Sequence, residues 1–257
     1  MIRLFVTDID GCLSEPYRPF ALDRFQELAL RARQAGRPGD HPYWPALSIC
    51  SGRPYPYVEA VTQALGLQVP VLFESGAGLF DPVAAAVHWH PAFTEELAQE
   101  VEALRHWLTT VCLPGTALML DFGKRTQAGV VGPDTEEIQR LLPIVEAYVA
   151  THHPAFHVFH THISIDIVPK GLTKREGLAW LLEVLGVPAA EAAYIGDSNG
   201  DLGALDLVGY AFAPANAAEV VRRQVSRVMP GSDIEGVLAA YHWCAAHNKA
   251  CRQVVAP

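Results

Sequence analysis

Residues 4–15, LFVTDIDGCLSE, begin as a short apolar strand and end in two aspartates, a glycine and a cysteine. Burying an apolar run is favourable, whereas burying an unpaired carboxylate costs roughly several kcal/mol unless a charge partner or a metal meets it. Asp8 and Asp10 therefore indicate a charged site at the end of the first strand.

Composition limits the classes of partner. The chain has 257 residues, half of them apolar, and a net charge of −9 without a long run of Lys or Arg. This balance argues against a nucleic acid or an anionic membrane as partner and favours a small molecule. No apolar run approaches the roughly 20 residues of a membrane span, and no signal-peptide layout is present, so we expect a cytoplasmic protein. Five scattered cysteines without a CxxC pair predict neither a disulfide framework nor a zinc knuckle.

The order of strand and helix patterns predicts an α/β fold in three sequence segments. Residues 1–82 and 169–257 alternate apolar strands with amphipathic helices, which is typical of a parallel sheet covered on both faces. Residues 83–168 read as helix, strand, helix and one or two strands, and we expect them to form a smaller separate sheet. The oligomeric state is not visible in this pattern.

Polar clusters follow four of the predicted strands. They are Asp8–Gly11, Ser51-Gly52-Arg53, Glu74-Ser75-Gly76 and Gly196–Asp201. Any one of them also reads as a helix cap or a turn. Because the carboxyl ends of parallel strands meet at one edge of a sheet, we expect the clusters to form one pocket. Its carboxylates would repel one another unless a divalent cation compensates them, and oxygen ligands suit Mg²⁺. The carboxylates concerned are Asp8, Asp10, Asp197 and Asp201.

Four motifs in this order carry a family resemblance. DIDG (8–11), SGR (51–53), a lysine within GLTKREGL (171–178) and GDSNGD (196–201) together resemble the haloacid dehalogenase-like superfamily of Asp-dependent phosphatases. The segment 83–168 is similar to the α/β (C2-type) cap of Cof-like, sugar-phosphate and phosphoglycolate phosphatases. The resemblance implies a Rossmann-like parallel-sheet core, an inserted cap that closes over the site, Mg²⁺ as cofactor and a small phosphorylated metabolite as substrate.

The resemblance also implies a role for each matched residue. Asp8 would be the nucleophile that forms an aspartyl phosphate. Asp10 would protonate the leaving oxygen, activate water and offer its backbone carbonyl to the metal. Ser51 and Lys174 would hold the transferring phosphoryl group. The implied metal ligands are Asp8, Asp10, Asp197 and Asp201.

Substrate contacts are expected from residues near these motifs and from the inserted segment. Gly52 and Arg53 adjoin Ser51, and Asn216 matches the asparagine of a late family segment. Lys124 and Arg125 follow the predicted strand TALMLDF and are candidates for binding a second anionic group of the substrate. A solvated turn is the commoner role for such a pair, since charged side chains are mostly at the surface.

Departures from the family pattern affect two positions, and the third motif offers two candidate lysines. Cys12 stands where threonine is common, which removes a hydroxyl but no acid–base group, so activity should survive. Gly200 stands where asparagine is common, so we expect Asp201 to be held less firmly. Lys174 is preferred to Lys170 as the phosphate-site lysine, because it follows a GxxK turn and opens a helix.

A group of histidines in the inserted segment raises a zinc hypothesis. No neighbouring cysteine or carboxylate completes a convincing four-ligand set, so polar surface roles are favoured. The histidines are His152, His153, His157, His160 and His162.

Three functions stay open at this point. The leading one is a Mg²⁺-dependent phosphatase acting on a sugar phosphate or a phosphoglycolate-like acid. The stretch SIDIVPKGLTKREGL (164–178) is similar to phosphomannomutase, which makes a phosphotransferase the first alternative. The second is a non-catalytic phosphometabolite-binding protein, and the retention of the acidic motifs and Lys174 argues against it.

Overall fold

The computed structural model describes residues 1–255 and divides the chain into two compact units. Residues 1–88 and those from 174 onward form one unit, called the core unit here; Trp89–Thr173 form the inserted unit. Both boundaries lie a few residues later than those expected from the sequence. That the inserted unit acts as a cap stays a prediction. Among the described residues, no helix has the length and apolar character that crossing a membrane requires.

The elements are numbered in chain order. The strands are β1 (Leu4–Thr7), β2 (Ala46–Ile49), β3 (Val71–Phe73), β4 (Gly78–Asp81), β5 (Ala86–Trp89), β6 (Met119–Leu120), β7 (Ala128–Val131), β8 (Phe156–His160), β9 (Ser164–Pro169), β10 (Ala192–Ile195), β11 (Tyr210–Ala213) and β12 (Arg227–Val228). The helices are α1 (Leu22–Ala35), α2 (Tyr55–Leu65), α3 (Glu95–Trp107), α4 (Thr135–His152), α5 (Lys174–Leu185), α6 (Leu202–Leu207), α7 (Glu219–Gln224) and α8 (Asp233–Val255).

The core unit is built on a five-stranded parallel sheet in the order β12-β11-β10-β1-β2. Strand β1 is buried on both faces, because its side chains alternate between two helical layers. Leu4 and Val6 belong to a cluster that includes Leu178 and Leu181 of α5. Phe5 points the other way, and its ring centroid lies 5.2 Å from that of Tyr241 in α8. The α/β class with a parallel core sheet is thus confirmed.

A second, three-stranded sheet, β3-β4-β5, follows the first part of the core sheet. A parallel bridge between Cys50 and Leu72 joins β3 to the end of β2. After β3 the chain turns through Glu74 and Ser75, which adopt left-handed φ angles of 48° and 58°. Two consecutive non-glycine residues in this region are uncommon, and such strain persists when the surroundings hold it in place.

The inserted unit combines two helices with a four-stranded antiparallel sheet in the order β6-β7-β9-β8. Its helices begin at good caps: Thr94 accepts from the Leu97 N–H before α3, and Asp134 accepts from two N–H groups before α4. Apolar residues of both helices and the sheet form a separate hydrophobic core. Ile165 and Ile167 of β9 belong to it, so the alternate residues of that strand lie on the opposite sheet face.

Several elements differ from the sequence expectation. Strands β4, β5 and β7 were not predicted, and the predicted strand TALMLDFG is reduced to Met119–Leu120. β7 is short and contains Gly129, whose absent side chain leaves room for the Ile165 carbonyl of β9. β3 pairs in the small antiparallel sheet, whereas the sequence suggested a strand of the main parallel sheet.

Candidate functional site

Asp8 follows β1 directly, at the carboxyl edge of the core sheet. Its N–H donates to the Ile195 carbonyl of β10 at 3.1 Å, which extends the β1–β10 ladder to this residue. Its Oδ1 accepts from the Ile9 N–H at 2.7 Å, and its Oδ2 accepts from Lys174 Nζ at 2.5 Å. Burial raises the pKa of Asp8 to about 7, although Lys174 works against this shift.

Lys174 opens α5 and is buried in the core unit. One turn later, Gly177 lies against the strained turn, and a Cβ there would stand 2.3 Å from Gly76 Cα. This close approach sets the start of α5, and with it the lysine, beside the end of β1. Burial by itself lowers the pKa of Lys174, but the charges of Asp201 and Asp8 outweigh it and raise that pKa.

The competing lysine lies elsewhere. Lys170 is exposed and belongs to the inserted unit, whereas Lys174 Nζ contacts the Asp8 carboxylate. The structure therefore brings together Asp8 and the lysine that the GxxK turn favoured.

Asp201 is fully buried and accepts hydrogen bonds at both oxygens. Lys174 Nζ and the Tyr194 hydroxyl donate to Oδ1, each at 2.7 Å. The Ser198 N–H, the Ser198 hydroxyl and the Asp197 N–H donate to Oδ2 at 3.0 to 3.2 Å. Burial alone raises the pKa of Asp201, but Lys174 and these donors outweigh it and lower the pKa.

Gly200 does not loosen this arrangement, contrary to expectation. Ser198 and Asp201 form a reciprocal capping box around the short turn Asn199–Asp201. A Cβ at Gly196 would stand 2.4 Å from the Asp201 carboxyl carbon, so glycine is needed there to admit the side chain.

Asp197 is the least compensated of the three neighbouring carboxylates. Burial and the charges of Asp201 and Asp8 raise its pKa to about 8. Gly11, with a left-handed φ of 71°, allows its close approach, since a Cβ at that position would stand 2.1 Å from Asp197 Oδ2. The glycine that ends DIDG is therefore required both for the turn and for the space.

The donor set fits a divalent cation. Asp8, Asp197 and Asp201 each offer a carboxylate oxygen, and these atoms lie within 4.8 Å of one another. One ammonium group, that of Lys174, cannot balance three carboxylates, and an all-oxygen set suits Mg²⁺. The Asp201 carboxylate accepts five hydrogen bonds and that of Asp8 accepts two, so Asp8 and Asp197 are the better direct ligands and Asp201 the better supporting group.

The Asp10 carboxylate does not join that cluster; it meets Arg53. Arg53 Nε donates to Asp10 Oδ2 and Nη2 to Oδ1, both at 2.6 Å, which is a bidentate pair. Burial opposes the charge of Arg53, but Asp10 outweighs it and raises the pKa of the guanidinium. The backbone carbonyl of Asp10 as a metal ligand stays a prediction. Arg53, expected to contact substrate, is placed beside the predicted acid–base residue.

Ser51 and Gly52 lie between β2 and α2, next to the strained turn. Ser51 is fully buried; its carbonyl accepts from the Ser75 N–H at 2.9 Å and its hydroxyl accepts from the Arg53 N–H at 3.2 Å. A Cβ on Gly52 would approach Ser75 Oγ to 3.5 Å, which is ordinary contact. The turn therefore fixes the backbone from which the predicted phosphate contacts would come.

Asn216 and Cys12 support the loop after β1. Asn216 Nδ2 donates to the Gly11 carbonyl at 2.9 Å, and Asn216 Oδ1 accepts from the Asp233 N–H at 2.8 Å. Cys12 is buried with its Sγ 3.8 Å from the Ile195 carbonyl. Asn216 thus ties the start of α8 to the loop, while its predicted substrate contact stays untested.

In the inserted unit, Lys124 is buried between two carboxylates. Its Nζ lies 2.5 Å from Asp166 Oδ1 and 3.1 Å from Asp121 Oδ2. The Arg125 guanidinium lies 4.9 Å from the Trp89 ring centroid. The structure thus gives Lys124 partners within its own unit, and the predicted reading of a substrate anion stays a prediction for both residues.

The histidines of the inserted unit do not form a metal site in the part of the chain that the structure describes. Its one group of three or more potential ligands is the acidic cluster of Asp8, Asp197 and Asp201. His153 Nδ1 lies 3.0 Å from Glu100 Oε2, which is an ordinary polar contact.

Sequence reasoning missed several residues that shape the site. Tyr194 stands in the strand AAYI and reads as core, yet its hydroxyl donates to Asp201. Tyr17 and Tyr57 flank the Arg53 guanidinium, with ring centroids 4.4 and 5.0 Å from its Cζ. No local pattern distinguishes such tyrosines from packing residues.

Comparison with known proteins points to one family. A model of the haloacid dehalogenase-like hydrolases matches residues 121–240. The chain is 28% identical over 242 residues to the phosphoglycolate phosphatase of Natronomonas pharaonis, covering 93% of this chain and 96% of that protein. It is 26% identical to the phosphoglycolate phosphatase of Methanopyrus kandleri, covering 92% and 94%.

Solved structures agree in fold. Thermoplasma acidophilum protein 0175 matches with a TM-score of 0.71 at 21% identity, over 94% of this chain and 99% of that one. A haloacid dehalogenase-like hydrolase from Bacteroides thetaiotaomicron also matches with a TM-score of 0.71, at 18% identity and the same coverage.

Proposed function

We propose that this chain, which is similar to the haloacid dehalogenase-like hydrolases, is a Mg²⁺-dependent phosphatase of a small phosphorylated metabolite. The observation that carries the proposal is the surroundings of Asp8. The Asp8 carboxylate follows a strand and has the Lys174 ammonium at 2.5 Å. It belongs to a group of three carboxylates whose charge this one ammonium cannot balance. A nucleophile, a positive group for the phosphoryl oxygens and a place for a divalent metal thus coincide.

In the first half-reaction, an Asp8 oxygen attacks phosphorus while the bond to the substrate's alkoxyl oxygen breaks. Asp10 gives its proton to that leaving oxygen, so the products are an alcohol and an aspartyl phosphate. Lys174 and Ser51 stabilise the phosphoryl oxygens. Bound Mg²⁺, held by Asp8 and Asp197 with Asp201 behind them, would neutralise phosphate charge and orient it.

In the second half-reaction, water attacks phosphorus and gives a proton to Asp10. The bond between phosphorus and the Asp8 oxygen breaks, with its electron pair returning to the Asp8 carboxylate. Inorganic phosphate leaves, and both aspartates regain their starting states.

The substrate class is proposed from the relatives. The two relatives described above, both named phosphoglycolate phosphatase, align along 96% and 94% of their own length, which supports a small phosphorylated acid. Groups of the inserted unit, Lys124 and Arg125 among them, would bind the part of the substrate beyond the phosphate.

A panel of phosphate esters assayed for phosphate release, with and without Mg²⁺, tests the proposal. We expect turnover of 2-phosphoglycolate or a hexose phosphate that needs Mg²⁺, and a loss of at least about 10³-fold in Asp8→Asn. Asp23→Asn, an exposed position in the first turn of α1, is the matched control and should retain activity.

Three results would count against the proposal. Turnover that persists in Asp8→Asn would remove the nucleophile from the mechanism. Conversion of a hexose phosphate into an isomer without phosphate release would favour the phosphotransferase. Binding of esters without any turnover would favour the non-catalytic alternative.

A further inference from the structure

The Arg53 guanidinium contacts one carboxylate through its N–H groups and lies over two aromatic rings. Its fork contacts both Asp10 oxygens at 2.6 Å. The Tyr17 and Tyr57 ring centroids lie 4.4 and 5.0 Å from its Cζ, within the range of cation–π attraction. All four residues belong to the core unit.

Tyr17 reaches this position through an unfavourable backbone. Its φ is +59°, a region that L residues rarely adopt, and its side chain remains largely exposed. Such a conformation persists where contacts favour it, and the contact found for this ring is the one with Arg53. The Arg18 N–H donates to the Glu15 carbonyl at 3.1 Å, and this turn, with Pro16 ahead of Tyr17, holds the left-handed φ and places the ring at the guanidinium.

Tyr57 and Arg53 are fixed by the same short connection. Tyr57 lies in the first turn of α2, and its N–H donates to the Pro54 carbonyl at 3.1 Å. The Arg53 N–H donates to Ser51 Oγ, and the Arg53 carbonyl accepts from the Glu74 N–H at 3.0 Å. These bonds fix the backbone of Arg53, so the position of its side chain depends on Asp10 and on the two rings.

We infer that Tyr17 and Tyr57 are positioning residues that hold Arg53, whose fork orients the Asp10 carboxylate as proton acceptor in hydrolysis of the aspartyl phosphate. The inference rests on the proposed function. Each carboxylate oxygen has two lone pairs, so an Asp10 oxygen that accepts one N–H bond from Arg53 can still accept a proton from water. In the second half-reaction, water's oxygen bonds to phosphorus, its proton passes to Asp10, and the Asp8 oxygen departs with the bonding electron pair.

The two half-reactions can be measured separately with p-nitrophenyl phosphate. Its leaving group departs without needing a proton, so kcat/KM reports phosphorylation of Asp8 with little demand on Asp10. We expect hydrolysis of the aspartyl phosphate then to limit kcat. If Tyr17 and Tyr57 serve the activation of water, their loss should therefore lower kcat and leave kcat/KM nearly unchanged.

The test variant is the double substitution Tyr17→Leu/Tyr57→Leu, assayed with Mg²⁺. We expect kcat to fall about tenfold and kcat/KM to change by less than about threefold, since two cation–π contacts are lost. Acid-quenched samples should contain more phosphoenzyme than wild type at steady state. Tyr17→Phe/Tyr57→Phe keeps both rings and should restore wild-type kinetics, and Tyr43→Leu controls for the same substitution at another solvent-exposed tyrosine.

A second readout does not depend on turnover. The Arg53 Nε–H donates to Asp10, so its exchange with solvent, followed by ¹⁵N NMR, should be slow in wild type and about tenfold faster in the double leucine variant. Equal losses in kcat and kcat/KM, or unchanged kinetics and exchange, would overturn the inference. If wild type hydrolyses no ester, the proposed function fails. Unchanged exchange in the double leucine variant would then also show that the two tyrosine rings do not hold Arg53. Faster exchange would show that they do hold it, without a catalytic role.

Discussion

Two lysines in this molecule, Lys174 in the core unit and Lys124 in the inserted unit, are buried to the same extent between paired aspartates. In both, the aspartate charges outweigh desolvation and raise the pKa of the lysine. The partners are Asp8 and Asp201 for Lys174, at 2.5 and 2.7 Å, and Asp166 and Asp121 for Lys124, at 2.5 and 3.1 Å.

The difference lies in what else is near each lysine. Beside Lys174 stands a third carboxylate, Asp197, and the pKa values of Asp8 and Asp197 are raised to about 7 and about 8. Beside Lys124, a spare oxygen of Asp166 accepts from the Ser164 hydroxyl at 3.2 Å. A buried lysine between acids is therefore not in itself a sign of function. The feature that indicates function is the excess of negative charge around Lys174.

Replacing each lysine in turn should give the largest difference in activity between the two sites. Lys174→Met should reduce phosphate release by about 10³-fold, because the phosphoryl charge and that of Asp8 lose their cation. Lys124→Met should change turnover of p-nitrophenyl phosphate by less than about fivefold, since that ester has no second anionic group for the residue to bind. Steady-state assays of both variants check this expectation.

Stability provides the control for that comparison. Breaking a buried pair costs about 3–5 kcal/mol, so Lys124→Met should lower the free energy of unfolding. The triple variant Lys124→Met/Asp121→Asn/Asp166→Asn should recover most of the loss. Comparable activity losses in Lys124→Met and Lys174→Met would contradict the distinction between the two sites.

The uncompensated carboxylate should control metal affinity. Asp197→Asn is expected to weaken Mg²⁺ binding by about 10- to 100-fold, because one charged ligand is replaced by a neutral one. Titration calorimetry on wild type and variant measures this directly. Asp206→Asn, at an exposed acid whose partner is Arg175, is the matched control. Equal affinity in wild type and Asp197→Asn would place the metal elsewhere.

The pH dependence of stability should show the same excess of negative charge. Asp8 and Asp197 have an ordinary pKa of 3.8 in the unfolded chain and about 7 and about 8 in the folded protein. Without metal, their contribution is therefore greatest below pH 4 and is lost as the pH rises through 7 to 8. Over pH 5 to 8 we expect the free energy of unfolding to fall by an amount on the order of 6 kcal/mol, since one pKa unit corresponds to about 1.4 kcal/mol; urea unfolding measures this.

Two comparisons isolate that effect from other titrating groups. Asp8→Asn/Asp197→Asn should remove the slope, because neither position then exchanges a proton. Saturating Mg²⁺ should flatten it in wild type, since the cation favours the ionised carboxylates. A metal-free protein that becomes more stable between pH 5 and 8 would argue against the crowded acids.

The acidic cluster could be predicted from the sequence because it depends only on where the parallel strands end. LFVT before Asp8 and AAYI before Gly196 read as buried parallel strands, and the ends of such strands share an edge whatever the details of packing. The lysine could be chosen because a GxxK turn opens α5. These inferences needed the strand order and a charge count, not side-chain geometry.

The remaining features depend on contacts that no local pattern encodes. The Arg53–Asp10 pair arises from side-chain conformations at the start of α2, and Tyr194 reads as a core residue until Asp201 is placed beside it. The burial of Asp201, which accepts bonds from Ser198 and Tyr194, reversed the expectation drawn from Gly200. Strand β7 was missed because AGVV is too short and too rich in small residues to stand out.

The strand order has a consequence for how the protein is made. Leu4 of β1 pairs with Ala46 on one side but with Ala192 on the other. During synthesis from the amino terminus, the strand that carries Asp8 gains its β2 neighbour early and waits for β10 until the whole inserted unit has left the ribosome. Until then one of its edges is open to wrong partners, which makes early folding of the inserted unit, or protection by a chaperone, an advantage for this chain.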